Sequence, residues 1–556
     1  AWQGKEDYAT VQLLREEGDF RQSESMYKTI FIQSEAEGLE LSSAGAAVDL
    51  GNLYVENDDD FQAECWYQKA KRIYAREKNN DGLMLVNANL VNVLLAKGDW
   101  LQADRLLSDL LAWDEEKKLL ESSAIDLLNW AGLETLRLRE DKALRLIDRA
   151  ETVIVNTCAF ILPAKEESVE EILRMAAWKK KGRCRRLVVT GCLPQRYGAE
   201  LARELPEVDL FLGTGDFPGI LAHLERLGEG PRRAPAVHVG TPLYLMDASV
   251  PRRVSTAFYG YLKIAEGCSN RCAYCIIPSI RGPFRSRPLD DLVAEADRLA
   301  AGGTREIILI AQDTTAWGRD LRGRPTLNGL LKRLCAIEGP RWIRLLYAYP
   351  KNITDELLAT MAAEDKICRY LDIPVQHIDD KVLKAMNRKG TSAFLRKKID
   401  EIRRAVPGIA LRTSLIVGYP GETEDAFERL LRFVEEARFE SLGVFTYSPE
   451  EGTKAAEMPG QVPEQEKRRR QALVMEAQAA IADEIGLARI GAVEDVLIEG
   501  RTGRKDFPWR GRTRFQAPEI DGITYVRGAA LAPGGIVRCR ITDAALYDLY
   551  AEKADD

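Results

Sequence analysis

The chain has 556 residues, 46% apolar and 30% charged, an ordinary soluble composition with room for three or four domains. Its formal charge of −7 is uneven: residues 1–150 hold 29 acidic and 18 basic side chains, and the remainder 57 and 61. That contrast marks a boundary near residue 150. No stretch of about 18 apolar residues exists to span a membrane. No basic-then-apolar signal segment opens the sequence, so a cytoplasmic protein is expected. The ten cysteines are widely scattered, which suits reduced thiols and clusters better than a secreted disulfide framework.

Residues 1–148 read as helix throughout. A short signature recurs at Gly18-Asp19-Phe20, at Asp60-Phe61-Gln62-Ala63 and at Gly98-Asp99-Trp100-Leu101-Gln102-Ala103. The spacing, close to 40 residues, predicts a helical solenoid resembling a tetratricopeptide array with lengthened helices, with a non-repeating helical bundle as the alternative. Such arrays bind partners, and no catalytic constellation is visible in this one; its partner is unknown.

From residue 149 to 228 the pattern becomes strand–helix–strand. Thr152–Asn156 and Arg186–Thr190 are the strand runs, and Cys158 and Cys192 sit just past their carboxyl ends. Parallel strands would bring the two thiols to one edge, the usual ligand crevice. Cys184 precedes the second strand and belongs about 26 Å away on the opposite edge, at about 3.3 Å per residue. Cys65 lies on a solenoid helix. Residues 229–257 carry Gly, Pro and Arg without periodicity and read as a linker.

From 258 to 488 six strand-like segments alternate with helices: 258–266, 305–311, 341–347, 370–375, 409–417 and 441–446. Repeated βα units predict a parallel barrel of six strands, with its working face at the strands' carboxyl ends. After the first strand comes Cys268-Ser-Asn-Arg-Cys272-Ala-Tyr274-Cys275. Three cysteines so spaced can fold round one cuboidal iron–sulfur cluster, each thiolate taking one iron and one iron staying open. Zinc is a weaker alternative, because it wants four protein ligands and none of His223, His238 and His377 lies near. A disulfide would leave one thiol over.

On the same face, Gln312 follows the second strand. Asp372-Ile-Pro-Val-Gln376-His377 ends the fourth, leaving His377 as either a pocket residue or a satisfied structural histidine. Gly418-Tyr-Pro-Gly421-Glu422 follows the fifth, where glycine would let the backbone approach a nucleoside closely. Residues 463–489 read as one amphipathic helix with Lys467–Arg470 on its solvated side. From 489 to 556 short strands and glycine turns, at 496–499, 523–526 and 536–541, predict a small five-stranded barrel of oligonucleotide-binding type. Residues 491–550 carry 9 basic and 8 acidic side chains, without the basic excess of an RNA binder, so a protein substrate fits better.

The cysteine loop, with Tyr274 before its last cysteine, resembles that of the radical S-adenosylmethionine (SAM) enzymes. The resemblance implies a [4Fe-4S] cluster on Cys268, Cys272 and Cys275 whose open iron is chelated by SAM, with Tyr274, Gln312, Gly418 and Glu422 as cofactor contacts. It also implies reduction by a donor such as flavodoxin or ferredoxin. The segment from Asn156 is similar to the flavodoxin-like amino-terminal domain of methylthiotransferases, which implies an auxiliary cluster on Cys158 and Cys192. The family's first ligand, in a Gly-Cys-x-Lys-Asn loop after a preceding strand, has no counterpart here, so the domain is expected to be incomplete and its sulfur-donating half impaired. The last domain resembles TRAM.

Leu309-Ile-Ala-Gln312-Asp313-Thr314-Thr315, Arg344-Leu-Leu-Tyr347-Ala-Tyr349-Pro350, Phe445-Thr-Tyr-Ser448-Pro-Glu-Glu451-Gly452-Thr453 and Ala517-Pro-Glu-Ile-Asp521-Gly522 resemble the ribosomal-protein branch of this family. That branch implies ribosomal protein S12 as substrate, methylthiolated at the β-carbon of an aspartate. The transfer-RNA branch, which modifies an adenosine, remains the alternative within the enzyme class. A solenoid-centred interaction protein with an inactive enzyme half is the alternative outside it.

Overall fold

The computed structural model describes residues 20–56, 59–96, 152–181, 184–227, 234–249, 258–529 and 531–554, with residues 11, 14, 106, 107 and 110. Among the described residues no helix is long and apolar enough to cross a membrane. Packing separates two compact units. The first takes what is described up to Val155, with Glu171–Val188 and Pro206–Leu210; the second takes Asn156–Glu170, Val189–Leu205 and the chain from Phe211.

The first unit begins with α1 (Phe20–Ala36), α2 (Glu40–Glu56), α3 (Asp60–Arg76) and α4 (Asn80–Ala96). Each is 17 residues long, and helix pairs recur every 40 residues, the period read from the first two signatures. The third signature lies outside the described residues. Asp59 caps α3, its Oδ1 accepting from the Gln62 amide at 3.0 Å, and Asn79 does the same for Gly82 at 2.9 Å. Successive helices pack on one another around Tyr27, Ile30, Ala47, Leu50, Tyr67 and Leu90.

β1 (Thr152–Thr157), α5 (Leu162–Lys181), β2 (Arg186–Gly191), α6 (Cys192–Glu204), β3 (Leu210–Leu212), α7 (Ile220–Leu227) and β4 (Ala236–His238) follow. The strands form one sheet in the order β1-β2-β3-β4. The stretch read as a linker thus contributes β4: three residues are too few to show a strand's alternation against their Gly/Pro-rich flanks. The division between units runs across these strands, and the carboxyl ends of β1 and β2 belong to the second unit.

The second unit is built on β5 (Tyr259–Lys263), a two-residue ribbon of β6 (Ala265–Glu266) and β7 (Arg285–Ser286) enclosing α8 (Ile277–Arg281), and α9 (Leu289–Ala301). Then come β8 (Glu306–Ile310), α10 (Leu327–Cys335), β9 (Trp342–Leu345), α11 (Asp355–Ala363) and β10 (Ile367–Asp372). α12 (Asp380–Ala385), α13 (Ser392–Ala405), β11 (Ala410–Val417), α14 (Glu424–Ala437) and β12 (Ser441–Thr446) complete the βα series. The sheet order β12-β11-β10-β9-β8-β5 is parallel at every pairing. The core lies between the sheet and its covering helices, with Ile307, Leu309, Ile343 and Leu345 against Leu292, Leu330, Leu334 and Ile402.

β10 lies three residues earlier than expected. Pro374 offers no N–H to a ladder and confines its neighbour to extended geometry, and Gln376 turns the chain at φ +74°. α15 (Glu464–Leu487) corrects a second expectation: Lys467 and Arg470 are each 5% exposed. They sit one turn apart on the face shared with buried Val474, Gln478 and Ile481. Lys467 donates to the Tyr447 carbonyl at 2.7 Å, and Arg470 to that of Glu422 at 3.0 Å.

β13 (Val493–Arg501), β14 (Trp509–Thr513), β15 (Thr524–Arg527), β16 (Ile536–Ala545) and β17 (Asp548–Lys553) close a small barrel in the order β13-β14-β15-β17-β16. Its β14–β15 loop docks against the amino ends of the parallel strands. The Tyr259 hydroxyl donates to Glu519 at 2.9 Å and that of Tyr370 to Asp521 at 2.7 Å. The fully buried Glu306 carboxylate takes Arg344 at 2.6 Å on one oxygen and Arg512 of the small barrel at 2.7 Å on the other.

Candidate active site

The cysteine loop leaves the carboxyl end of β5 and folds back on itself. Gly267, at φ +77°, begins it; a Cβ there would lie 2.3 Å from the Pro283 carbonyl oxygen, so only glycine fits. The Cys268 amide donates to the Gly282 carbonyl at 3.2 Å, that of Cys275 to Cys272 at 3.1 Å, and that of Ala273 to Met386 at 2.9 Å. Burial pushes the Cys275 thiol up to about 12, and the neighbouring Cys272 and Cys268 sulfurs add to it. Burial, with Cys272 and Asp313 close by, raises Cys268 as well.

Burial pushes the Tyr274 hydroxyl far above its ordinary value, and the nearby Arg388 opposes that shift. Arg388 reaches the Cys272 sulfur at 3.9 Å, donates to the Pro374 carbonyl and lies over the Tyr349 ring at 4.4 Å. These contacts suit a donor set for a cuboidal cluster: three neighbouring thiols, with a cation nearby to offset the charge they carry as ligands. Among the described residues no three His, Cys, Asp or Glu groups could together hold a single ion. A cluster does not require that, because each thiolate takes its own iron.

Beside the loop, the Gln312 amide donates to Glu266 at 3.3 Å, and its buried carbonyl oxygen has no hydrogen-bond partner among the described residues. An unpartnered buried acceptor is costly and suits a ligand's donor. Asp313, also buried, accepts from Asn270 at 3.0 Å and Asn352 at 3.2 Å, tying the cysteine loop to the turn after β9. Two large aromatic side chains are exposed on strands or turns of this end of the sheet: Tyr347, 45%, at φ +59°, and Phe445, 52%.

The segment after β11 differs from its expected use. The space a Cβ would take at Gly418 is filled by Lys467 Cγ at 2.2 Å, so this glycine makes room for the lysine stem. Glu422 is buried, and its oxygens accept from the Gly418 amide, the Tyr419 amide at 3.1 Å and His377 Nε2 at 3.2 Å, with Arg470 at 3.3 Å. His377 Nδ1 accepts from the Asp379 amide at 3.0 Å, so Nε2 carries the proton toward Glu422. The fully buried His377 is a satisfied structural histidine.

Cys158 and Cys192 come to the same edge of the small sheet. Burial raises the Cys192 thiol, the nearby Arg281 opposes that shift, and Cys158 adds to it. Arg281, six residues beyond Cys275, donates to the Cys192 sulfur at 3.3 Å and lies 3.8 Å from Glu266. One guanidinium therefore spans the interval between the two cysteine sets. A second tie runs through Glu450, whose carboxylate accepts from Lys165 at 2.8 Å, Arg196 at 2.9 Å and Ser448 at 2.9 Å. Arg196 also holds the Ala159 carbonyl at 2.7 Å, next to Cys158. Cys184 is buried, donates to the Arg186 carbonyl and precedes β2, at the opposite end from Cys192. Cys65 is exposed on α3.

Residues 262–434 match the Radical SAM superfamily, 490–553 the TRAM domain and 133–213 the uncharacterized protein family UPF0004. The ribosomal protein uS12 methylthiotransferase RimO of Syntrophus aciditrophicus is 56% identical over 409 residues, covering 73% of this chain and 90% of that protein. The chain belongs to the RimO-type methylthiotransferases. The RimO of Geobacter sulfurreducens is 54% identical over 404 residues, 72% of this chain and 90% of that one. Among solved structures, the radical S-adenosylmethionine methyltransferase TsrM of Kitasatospora setae is similar at 18% identity, with a TM-score of 0.43, over 59% of this chain and 73% of that one.

A RimO-type chain uses a [4Fe-4S] cluster and SAM, and the residues around the cysteine loop fit them. Sequence reasoning missed Arg281, Arg388, Glu266 and the Lys165–Arg196–Glu450 cluster. Only Arg281 had a local signal, its place just beyond the last cysteine.

Proposed function

We propose that this protein methylthiolates the β-carbon of an aspartate in ribosomal protein uS12, replacing one C–H bond with C–SCH3. The observation that carries this reading is the 56% identity to a uS12 methylthiotransferase across nine-tenths of that enzyme's length. Cys268, Cys272 and Cys275 would hold the [4Fe-4S] cluster, and Cys158 and Cys192 offer an auxiliary one only two thiolates, so it would be weakly retained. When bound, the first cluster and SAM supply a 5′-deoxyadenosyl radical for hydrogen abstraction.

The chain's own residues then have distinct tasks. Arg388 lies against Cys272 and offsets its thiolate charge, and Tyr274 packs beside it. Gln312, held by Glu266, presents its free carbonyl oxygen to a donor on SAM. Glu422 and His377 act from behind, keeping the turn at Gly418 in place rather than touching ligand. Phe445 offers exposed aromatic surface to a substrate segment. Arg281 holds Cys192 in register with the SAM side of the site.

A low-potential donor such as flavodoxin or ferredoxin supplies the electron, the helical array binds a separate partner, and the protein works in the cytoplasm. Mass spectrometry of uS12 and of transfer RNA after anaerobic reaction tests the assignment. A methylthio-aspartate in uS12 is expected, at low yield beside 5′-deoxyadenosine. Methylthio-adenosine with unmodified uS12 would overturn it.

A further inference from the structure

The loops at the carboxyl ends of the parallel strands are unevenly charged. Those after β5, β8, β9 and β10 (264–284, 311–326, 346–354 and 373–391) carry ten basic and five acidic side chains, whereas those after β11 and β12 (418–423 and 447–463) carry one and four. On the basic side Glu266, Asp313 and Asp379 are buried. Asp320 and Asp380 are exposed, hydrogen-bonded by Ser286 and by the Ser392 amide, and are outnumbered by the exposed cations. Arg271, Arg319, Arg322, Arg324, Lys351, Lys384 and Lys389 are all exposed, and none has an ion-pair partner among the described residues.

The loops that carry these cations are tied to one another beside the cysteine loop. The Arg271 carbonyl accepts from Asn387 at 2.8 Å, and the Lys389 amide donates to the Tyr349 hydroxyl at 3.2 Å. Asn352, next to Lys351, joins Asp313, and it lines with Arg319, Arg324 and the single carboxylate Glu356 a cleft of about 510 Å³. Exposed Tyr347 stands just before this turn.

We propose that this rim is an RNA-contacting surface that grips the phosphate backbone next to the substrate segment. Unpaired arginines and lysines neutralise phosphates, and an exposed aromatic among them offers a platform for an unstacked base. The proposal rests on the uS12 reading in one respect: a ribosomal protein in its assembled particle presents its segments beside RNA. The small barrel, with nearly balanced charge, leaves this task to the rim.

The test measures binding of the full chain, without SAM or iron, to a single-stranded 30-nucleotide poly(U) by fluorescence anisotropy across a salt series. The triple variant Arg319→Ala, Arg322→Ala, Arg324→Ala should bind more weakly. Its slope of log K against log salt should be shallower by about 2, since each lost phosphate contact on a single strand removes about 0.7. A control triple variant on the outer helices, Lys397→Ala, Arg404→Ala, Arg432→Ala, should keep the wild-type slope. An unchanged slope in the rim variant overturns the proposal. So does competition by polyglutamate as strong as by poly(U) at equal charge, which would indicate an acidic protein partner. This readout stands whether or not uS12 proves to be the substrate. Where it is, the rim variant should modify free uS12 as wild type does but lose about tenfold on uS12 within the small ribosomal subunit.

Discussion

Replacing Glu450 by Gln should loosen the Cys158–Cys192 edge without unfolding the rest of the second unit. The carboxylate is 2% exposed, with Lys165 and Arg196, at 17% and 7%, both within 2.9 Å. At an effective dielectric near 20 each pair is worth about 6 kcal/mol before desolvation. Removing one member of such a buried set leaves uncompensated charge and costs about 3–5 kcal/mol net. Lys165 and Arg196 lie on α5 and α6, beside Cys158 and Cys192, so the loss should appear as local opening there.

A penalty of about 3 kcal/mol raises the open population about 100-fold or more. Iodoacetamide labelling of buried Cys192, followed by mass spectrometry, should accelerate accordingly, while Cys184 keeps its rate. Acid should open the same edge in wild type, read as faster amide hydrogen exchange around Cys192, because alkylation needs the thiolate and stops at low pH. Burial pushes the Glu450 carboxyl upward, but the hydrogen bonds from Lys165, Arg196 and Ser448 outweigh it and hold it below the ordinary value of 4.5. Its stabilisation is therefore complete above that value and is lost as pH falls through the depressed folded pKa. A Cys192 labelling rate unchanged within threefold in Glu450→Gln would refute the reasoning.

Alanine at Cys268, Cys272 or Cys275 should abolish reductive cleavage of SAM to 5′-deoxyadenosine; retained cleavage in any one variant would place the site elsewhere. With only Cys158 and Cys192 converging at the second edge, iron and sulfide after reconstitution should approach one four-iron cluster per chain, and deoxyadenosine should form without efficient methylthiolation. About eight irons, falling to about four in Cys158→Ala, Cys192→Ala, would instead show that a third ligand is supplied. Gly418→Ala forces a Cβ onto the Lys467 stem at positive φ and should cost about 1–3 kcal/mol. A thermal midpoint equal to wild type would contradict that packing.

What the sequence disclosed was local. The cysteine loop was legible because its three ligands and Tyr274 fall within eight residues, and the helical repeat because each pair carries its own signature. The six parallel strands showed through their apolar runs, although Pro374 moved the fourth. Interactions set by distant partners stayed hidden. Lys467 and Arg470 look like solvent-facing charge until Tyr447 and Glu422 are folded against them. Glu422 looks like a ligand contact until His377 and Arg470 occupy it. Nothing near Glu450 announces Lys165, 285 residues earlier.

Glu306 gives the small barrel a stake in the larger one. A single carboxylate shared between Arg344 and Arg512 makes the junction a three-body arrangement, so the two modules have to be inherited as a matched pair. Transplanting the carboxyl-terminal barrel of a relative that lacks Arg512, Glu519 or Asp521 would deliver a well-folded module onto a base it cannot complete. Drift at any one of these positions is constrained by a residue in the other module, about 200 positions away in sequence.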